Sequence, residues 1–324
     1  MRPLQAYQDM FSAHLSSLSL DGKPAGLYNP MSYIMTLGGK RMRPVLVLMA
    51  CEAMGKDPAD ALGAAAAVEL FHNFTLLHDD IMDAATLRRG QQTVHHKWDV
   101  NTGILSGDAL LVTAYQQLNK YDNTLFAQLT KDLSQTALLV CEGQQYDVDF
   151  ETQENVSKDE YLHMIKLKTA VLLGCSLRMG ALVGGATAEE SFCLYDFGVN
   201  LGIAFQLQDD LLDAFGDPET FGKKVGGDIV ENKKTILYHL ALSYANTQQK
   251  NDFLHLMSST PENEQLKIEA VKSIYVETKA HDYTKTEVKA YTQKAMDALD
   301  QSNLSEKSKA YFGLFANELM TRTK

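Results

Sequence analysis

No proline occurs between Pro58 and Pro218, and through that interval apolar residues recur at three- and four-residue spacing, as in Leu62, Ala65, Ala66 and Leu70 or Leu162, Ile165 and Leu172. A backbone with no proline and one apolar stripe per turn is set up for long amphipathic helices. No alternating apolar and polar run flanked by hairpin turn residues is present, so strands are expected to be nearly absent. The spacing predicts helices over about 4–18, 44–55, 58–84, 103–120, 123–148, 158–183, 188–214, 230–245, 262–279, 284–300 and 305–320. Several starts carry their own signal. Ser157-x-x-Glu160, Thr187-x-x-Glu190 and Thr284-x-x-Glu287 read as capping boxes, and Thr260-Pro261 places a cap before a first-turn proline.

The expected fold is therefore all-α, a helical bundle, and length alone leaves one large domain or two small ones open. A chain of 324 residues with 45% hydrophobic content can bury a core of that size. Its apolar runs fall well short of the roughly 20 residues a membrane span needs, so no stable membrane insertion is expected. The opening Met1-Arg2-Pro3-Leu4 lacks a basic head followed by an apolar stretch, which points to the cytoplasm. Cys51, Cys141, Cys175 and Cys193 form no C-x-x-C pair and lie in apolar sequence, as reduced core thiols do. A formal net charge of −11 argues against nucleic acid as a partner.

Two aspartate clusters interrupt this apolar background. Asp79-Asp80-Ile81-Met82-Asp83 sits in a very apolar helix, and Asp209-Asp210-Leu211-Leu212-Asp213 repeats its spacing at the end of another. Residues four apart are about 40° apart around a helix, so Asp79 and Asp83 share a face. Their repulsion calls for a cation. Carboxylate pairs of this kind suit hard divalent ions that keep positions open for phosphate oxygens. The positive complement is Gly38-Gly39-Lys40-Arg41-Met42-Arg43-Pro44, with Arg88-Arg89-Gly90 after the first cluster and Lys223, Lys224, Lys233 and Lys234 after the second. Segments 86–101 and 214–229 read as the longer loops, each directly after an aspartate cluster.

In this order the motifs resemble the trans-prenyltransferase family of short-chain polyprenyl diphosphate synthases, which includes the farnesyl and geranylgeranyl diphosphate synthases. The resemblance covers about residues 30–240 and implies a single domain over 1–324, one large helical bundle with a central active-site cavity. It rests on Gly39-Lys40-x-x-Arg43-Pro44, Asp79-Asp80-x-x-Asp83, Arg88-Arg89-Gly90, Lys168-Thr169, Phe205-Gln206-x-x-Asp209-Asp210-x-x-Asp213, Gly222-Lys223 and Lys233-x-Thr235.

The resemblance implies magnesium-dependent head-to-tail condensation of isopentenyl diphosphate with an allylic diphosphate. It implies three magnesium ions per site on Asp79, Asp83, Asp209 and Asp213, with Asp80 in the same catalytic set. Arg88, Lys168, Lys223 and Lys233 would hold the allylic diphosphate; Gly39, Lys40, Arg43, His72 and Arg89 would hold the isopentenyl one. Thr169 and Gln206 would offer oxygen dipoles to an allylic cation. Family precedent makes Phe74 and Thr75 the chain-length gauge, and one aromatic beside one small residue gives geranylgeranyl diphosphate (C20) as the expected product, with farnesyl diphosphate (C15) as the alternative. A homodimer is implied as well. A terpene cyclase and a non-catalytic partner subunit are the remote readings: the first would replace the second aspartate cluster, and the second would lose one. Two departures from the family stand in loops: Ala84 and Thr86 replace an Asn and a Pro, and Asn232 stands where a Gly commonly precedes the lysine.

Overall fold

In the computed structural model, residues 1–153, 155–217, 225–259 and 263–321 are described, and the helical expectation holds. The described helices are α1 (Leu4–Ser17), α2 (Ala25–Thr36), α3 (Met42–Ala53), α4 (Leu62–Met82), α5 (Val94–Lys97), α6 (Val100–Gln116), α7 (Asn123–Thr152), α8 (Lys158–Ile165), α9 (Val171–Val183), α10 (Ala188–Phe215), α11 (Gly227–Val230), α12 (Ile236–Tyr244), α13 (Thr247–Leu256), α14 (Glu264–Glu277), α15 (Ala280–Asp300) and α16 (Glu306–Thr321). The β-structure among the described residues is one two-residue ladder, Leu87–Arg88 against Gln91–Gln92. None of the described helices is long and apolar enough to cross a membrane.

The chain divides into two compact units. One comprises Met1–Gln135 and Cys175–Tyr195, the other Thr136–Gly174 and Asp196–Lys324. In the first unit α4 is the central element: Ala64 to Val68, Leu70, Phe71 and Leu77 are buried, and α3 and α6 pack on it. Glycine decides how close α6 comes. A Cβ on Gly107 would lie 2.3 Å from His78 Nε2, and one on Gly103 would lie 2.8 Å from Ile81 Cδ1. In the second unit a Cβ on Gly143 of α7 would lie 2.3 Å from the Lys168 nitrogen, so the glycine admits the backbone that carries Lys168.

Several local expectations are corrected. Helix α2 was not expected, because Pro30 stands inside it. The proline removes one ladder bond, but burial of Pro30, Met31, Ile34 and Met35 outweighs that loss. The Thr284 capping box is absent: α15 already starts at Ala280, and the buried Thr284 hydroxyl donates to the Ala280 carbonyl at 2.8 Å. The single helix over 230–245 breaks at Asn232, which has φ 59°, and restarts at Ile236. The Ser157 and Thr187 boxes form as read, with Glu190 N donating to Thr187 Oγ1 at 3.3 Å and Thr187 N to Glu190 Oε2 at 2.8 Å. Thr260-Pro261 lies outside the described residues, and α14 is capped by Asn263 instead. Cys51 and Cys175 are buried, but Cys141 is exposed rather than in the core.

Backbone geometry accounts for the departure at Asn232 and marks Ala84 as strained. Asn232 and Ala84 have φ 59° and φ 50°, the left-handed region that asparagine and glycine tolerate and alanine does not. Ala84→Gly is therefore expected to raise stability by about 0.5–1 kcal/mol, what remains of the left-handed penalty after glycine's larger unfolded-state entropy is subtracted. A urea midpoint that fails to rise would show that Ala84 is not strained.

Candidate active site

In the first unit the predicted basic residues converge. Gly38 and Gly39 have φ of 79° and 121°, a conformation open to glycine, and Arg41 follows at φ 50° before α3 begins. A Cβ on Gly39 would lie 2.7 Å from Arg89 Nη2, so this glycine makes room for the Arg89 guanidinium, which donates to the Gly38 carbonyl. Arg89 and Gly90 both have positive φ between the paired Leu87–Arg88 and Gln91–Gln92, as a two-residue hairpin turn requires. The turn thereby sends Arg88 and Arg89 to different partners.

Arg88 closes on the first aspartate cluster. Its Nε donates to both Asp80 oxygens at 2.8 Å, and its Nη2 lies 2.7 Å from Asp80 Oδ1 and 3.8 Å from Asp79 Oδ2. Arg88 thus supplies positive charge to Asp80 and, at longer range, to Asp79. Asp80 is buried at 2% exposure, whereas Asp83, which ends α4, is exposed.

Arg41 pairs with the buried Glu69, which also accepts from Asn73 Nδ2 at 3.0 Å. Arg43 and Arg89 have neutral partners. Arg43 Nη1 lies 3.0 Å from His72 Nε2, and since arginine can only donate, this nitrogen is the acceptor and the imidazole proton resides on Nδ1. Burial first, then the surrounding arginines 43, 89, 88 and 41, push His72 well below the usual histidine range, so it is neutral. Burial lowers Arg43 to about 10, with Glu69 opposing and Arg89 adding to the shift. Arg89 is lowered as well, by burial and then by Arg41 and Arg88. Arg43 Nε is buried with no hydrogen-bond partner among the described residues. Crowded guanidiniums with neutral partners and a spare buried donor form a receptor for an anion with several oxygens.

The second unit holds the other predicted residues. Lys168 and Thr169 lie in one π-helical turn, Lys166–Ala170, between α8 and α9. Such turns push side chains out of register and are frequent at functional sites. Lys168 Nζ is 2.5 Å from Asp147 Oδ2. Thr169 Oγ1 donates to Gln206 Oε1 at 3.4 Å, and Gln206 Nε2 donates to Asp210 Oδ1 at 3.2 Å. Burial, then Asp228, pushes Asp210 up to about 8, against the opposing hydrogen bonds of Tyr161 and Gln206. Asp213 Oδ1 accepts the Asp228 backbone N–H at 3.0 Å, so this carboxylate also caps α11. Lys233 Nζ lies 2.8 Å from Glu231 and 3.6 Å from Asp228. Lys223 lies outside the described residues, as do Gly222 and Lys224.

Among the described residues no three His, Cys, Asp or Glu side chains are grouped to hold one ion. Each cluster instead offers carboxylate oxygens in pairs, a donor set that fits magnesium, which takes one or two carboxylates and completes its shell with water and phosphate. Sequence reasoning missed Glu69, Asp147, Tyr161 and Asp228. Each has a partner well separated along the chain, Arg41 for Glu69, Lys168 for Asp147, Asp210 for Tyr161 and Asp213 for Asp228, and no local spacing reveals such pairs.

Comparison with known proteins bears on this arrangement. The family profile described as polyprenyl synthetase matches residues 24–274. A geranylgeranyl diphosphate synthase of Methanosarcina mazei is 39% identical over 280 residues, covering 86% of this chain and 84% of that protein. A short chain isoprenyl diphosphate synthase of Methanothermobacter thermautotrophicus is 37% identical over 270 residues, covering 83% and 82%. Among solved structures, a geranylgeranyl pyrophosphate synthase crystal structure superposes with a TM-score of 0.96 at 50% identity, over 100% of both chains. The geranylgeranyl pyrophosphate synthetase from Pyrococcus horikoshii gives 0.91 at 32% identity, over 98% of this chain and 97% of that one.

Proposed function

The chain belongs to the polyprenyl synthetase family, and on that premise we propose that it extends an allylic diphosphate by head-to-tail condensation with isopentenyl diphosphate, stopping mainly at the C20 product, geranylgeranyl diphosphate. The observation that carries the reading is the group of arginines around neutral His72, where among the described residues Arg43 and Arg89 have neutral hydrogen-bond partners, His72 and the Gly38 carbonyl. The relatives named as geranylgeranyl diphosphate synthases support the C20 end point.

In this reading Gly39, Lys40, Arg43, His72 and Arg89 take the isopentenyl diphosphate. Arg88, Lys168, Lys223 and Lys233 take the allylic one, with Asp79, Asp83, Asp209 and Asp213 holding magnesium, three ions per site by family resemblance. Bound magnesium supplies Lewis-acid neutralisation of the leaving diphosphate. The lysines and arginines add fixed positive potential where negative charge develops. The allylic carbon–oxygen bond breaks with its electron pair leaving on the diphosphate. The isopentenyl double bond then supplies the pair for the new carbon–carbon bond, and a proton passes to the departing pyrophosphate as a double bond re-forms. No protein nucleophile is required.

The family match spans residues of both compact units, which supports reading 1–324 as a single synthase domain. A cytoplasmic location is part of the reading. So is a homodimer, because α6 exposes an apolar face, Val100, Ile104, Leu105 and Val112, at 41–60%. Sedimentation at micromolar concentration should give twice the chain mass of 36.0 kDa; a monomer there would remove the dimer from the reading.

Incubation with magnesium, isopentenyl diphosphate and dimethylallyl diphosphate, followed by chromatography, tests the function itself. A C20 main product is expected, and no elongation would overturn the proposal. Arg43→Ala should raise the KM for isopentenyl diphosphate by about 10²-fold, roughly 2.7 kcal/mol, while leaving hydrolysis of the allylic diphosphate alone within about twofold. Loss of allylic binding instead would mean that the two diphosphate sites are exchanged.

A further inference from the structure

The second unit contains a buried hydrogen-bonded chain that the assigned roles do not use in full. Tyr161, in α8, is 4% exposed and donates its hydroxyl to Asp210 Oδ2. Asp210, also 4% exposed, accepts from Gln206 Nε2 on its other oxygen at 3.2 Å. Gln206 Oε1 in turn accepts from Thr169 Oγ1 at 3.4 Å. A glutamine amide has two faces of opposite polarity, and which one it presents is set by its partners. Here the amide nitrogen is committed to an oxygen of the Asp210 carboxyl group, so the amide oxygen faces Thr169 and the π-turn that carries Lys168. If the amide turned over, an N–H dipole would point where the oxygen now lies, and an adjacent carbocation would be opposed rather than stabilised.

The carboxylate can fix that orientation only if it is itself held. Asp210 lies on α10, where rotation about its own side chain would carry Oδ1 away from Gln206. The Tyr161 hydroxyl occupies the second oxygen and prevents this. His239 backs the tyrosine, its ring centroid 5.7 Å from that of Tyr161. We propose that Tyr161 is a positioning residue for the ionisation step, acting through Asp210 to hold the Gln206 amide oxygen beside Thr169. When the allylic carbon–oxygen bond breaks and the electron pair departs on the diphosphate, the positive charge left on carbon then meets two oriented oxygen dipoles. The inference rests on the prenyltransferase reading above.

The test is a double-mutant cycle with geranyl diphosphate, isopentenyl diphosphate and magnesium. Tyr161→Phe should lower kcat by about tenfold while the KM for isopentenyl diphosphate stays within about twofold. In a Gln206→Ala background the same change should have no further effect, because the amide it orients is gone. Multiplicative effects, or a Tyr161→Phe loss expressed wholly in KM, would overturn the proposal. Should Tyr161→Phe melt below the assay temperature, Asp210→Leu decides: it is close in volume but leaves Gln206 Nε2 without its acceptor, so it should reproduce the kcat loss, again without addition to Gln206→Ala. Absence of elongation by the wild-type protein would fail the prenyltransferase reading and this one together; a working wild type with independent mutant effects would fail this one alone.

Discussion

Asp79→Ala is expected to cut turnover by about 10³-fold or more, some 4 kcal/mol of barrier, in a protein at least as stable as the parent. The two halves of this result have separate causes. Asp79 shares a helix face with Asp83 and is only 3.8 Å from Arg88, whose shorter contacts all go to Asp80. Removing it deletes one repulsion of about 0.2–0.5 kcal/mol and substitutes a stronger helix former. Asp80→Ala should behave in the opposite way. Its carboxylate is buried and takes Arg88 through three contacts, so truncation leaves the partly exposed guanidinium with only its 3.8 Å contact to Asp79 and should cost about 1–3 kcal/mol of stability. Steady-state rates with magnesium titrations, beside urea melts of both variants, separate the effects. An Asp79→Ala protein with parental rate and parental magnesium dependence would refute the metal assignment.

The contrast between these neighbours marks how far the sequence is legible. The aspartate spacing places Asp79 and Asp83 on one face and predicts that a cation must answer them; Arg88 reaches Asp79 at 3.8 Å but gives its short contacts to Asp80, which lies off that face. Spacing says nothing about which carboxylate is buried, because that depends on the hairpin turn at Arg89-Gly90 and on what packs against α4. Helix α2 was illegible for a related reason. Pro30 stands inside it, and the burial of Met31, Ile34 and Met35 that offsets the lost bond cannot be read from local spacing. Thr284-x-x-Glu287 shows the reverse failure: the box is present in the sequence, but Thr284 is fully buried within a running helix and Glu287 pairs with Lys158 across 129 residues. The family departures at Ala84 and Asn232 carried real information. Both mark left-handed positions, which cannot be seen without the backbone.

Product length is where helix geometry and family precedent pull in different directions, and Thr75→Phe is expected to move the main product from C20 to C15. On α4, His72, Thr75, Leu76 and Asp79 form a partly exposed stripe, while Leu70, Phe71, Phe74 and Leu77 are buried. Thr75 therefore lies on the face of the aspartates, one turn before Asp79. Its hydroxyl donates to the His72 carbonyl at 2.8 Å and is tied to its own helix, which leaves a small apolar group for a growing tail to pass. A phenyl ring there would stand in the path, and forcing a tail past it would cost about 1–3 kcal/mol or more in overpacking. Phe74 is turned away from that stripe. It packs on Phe71 at 5.7 Å and on His78 at 4.8 Å between centroids, and His78 is held by the Ile104 carbonyl at 3.1 Å. Phe74→Ala should still lengthen the product by at least one C5 unit, but by opening a cavity, and so together with a stability loss of about 3–5 kcal/mol that Thr75→Phe does not share. Radiolabelled isopentenyl diphosphate and chromatography of the dephosphorylated products give the chain lengths, and thermal melts give the stabilities. If neither variant shifts the product, the floor of the tail site is not on this part of α4, and the buried Leu110 of α6 becomes the next residue to change.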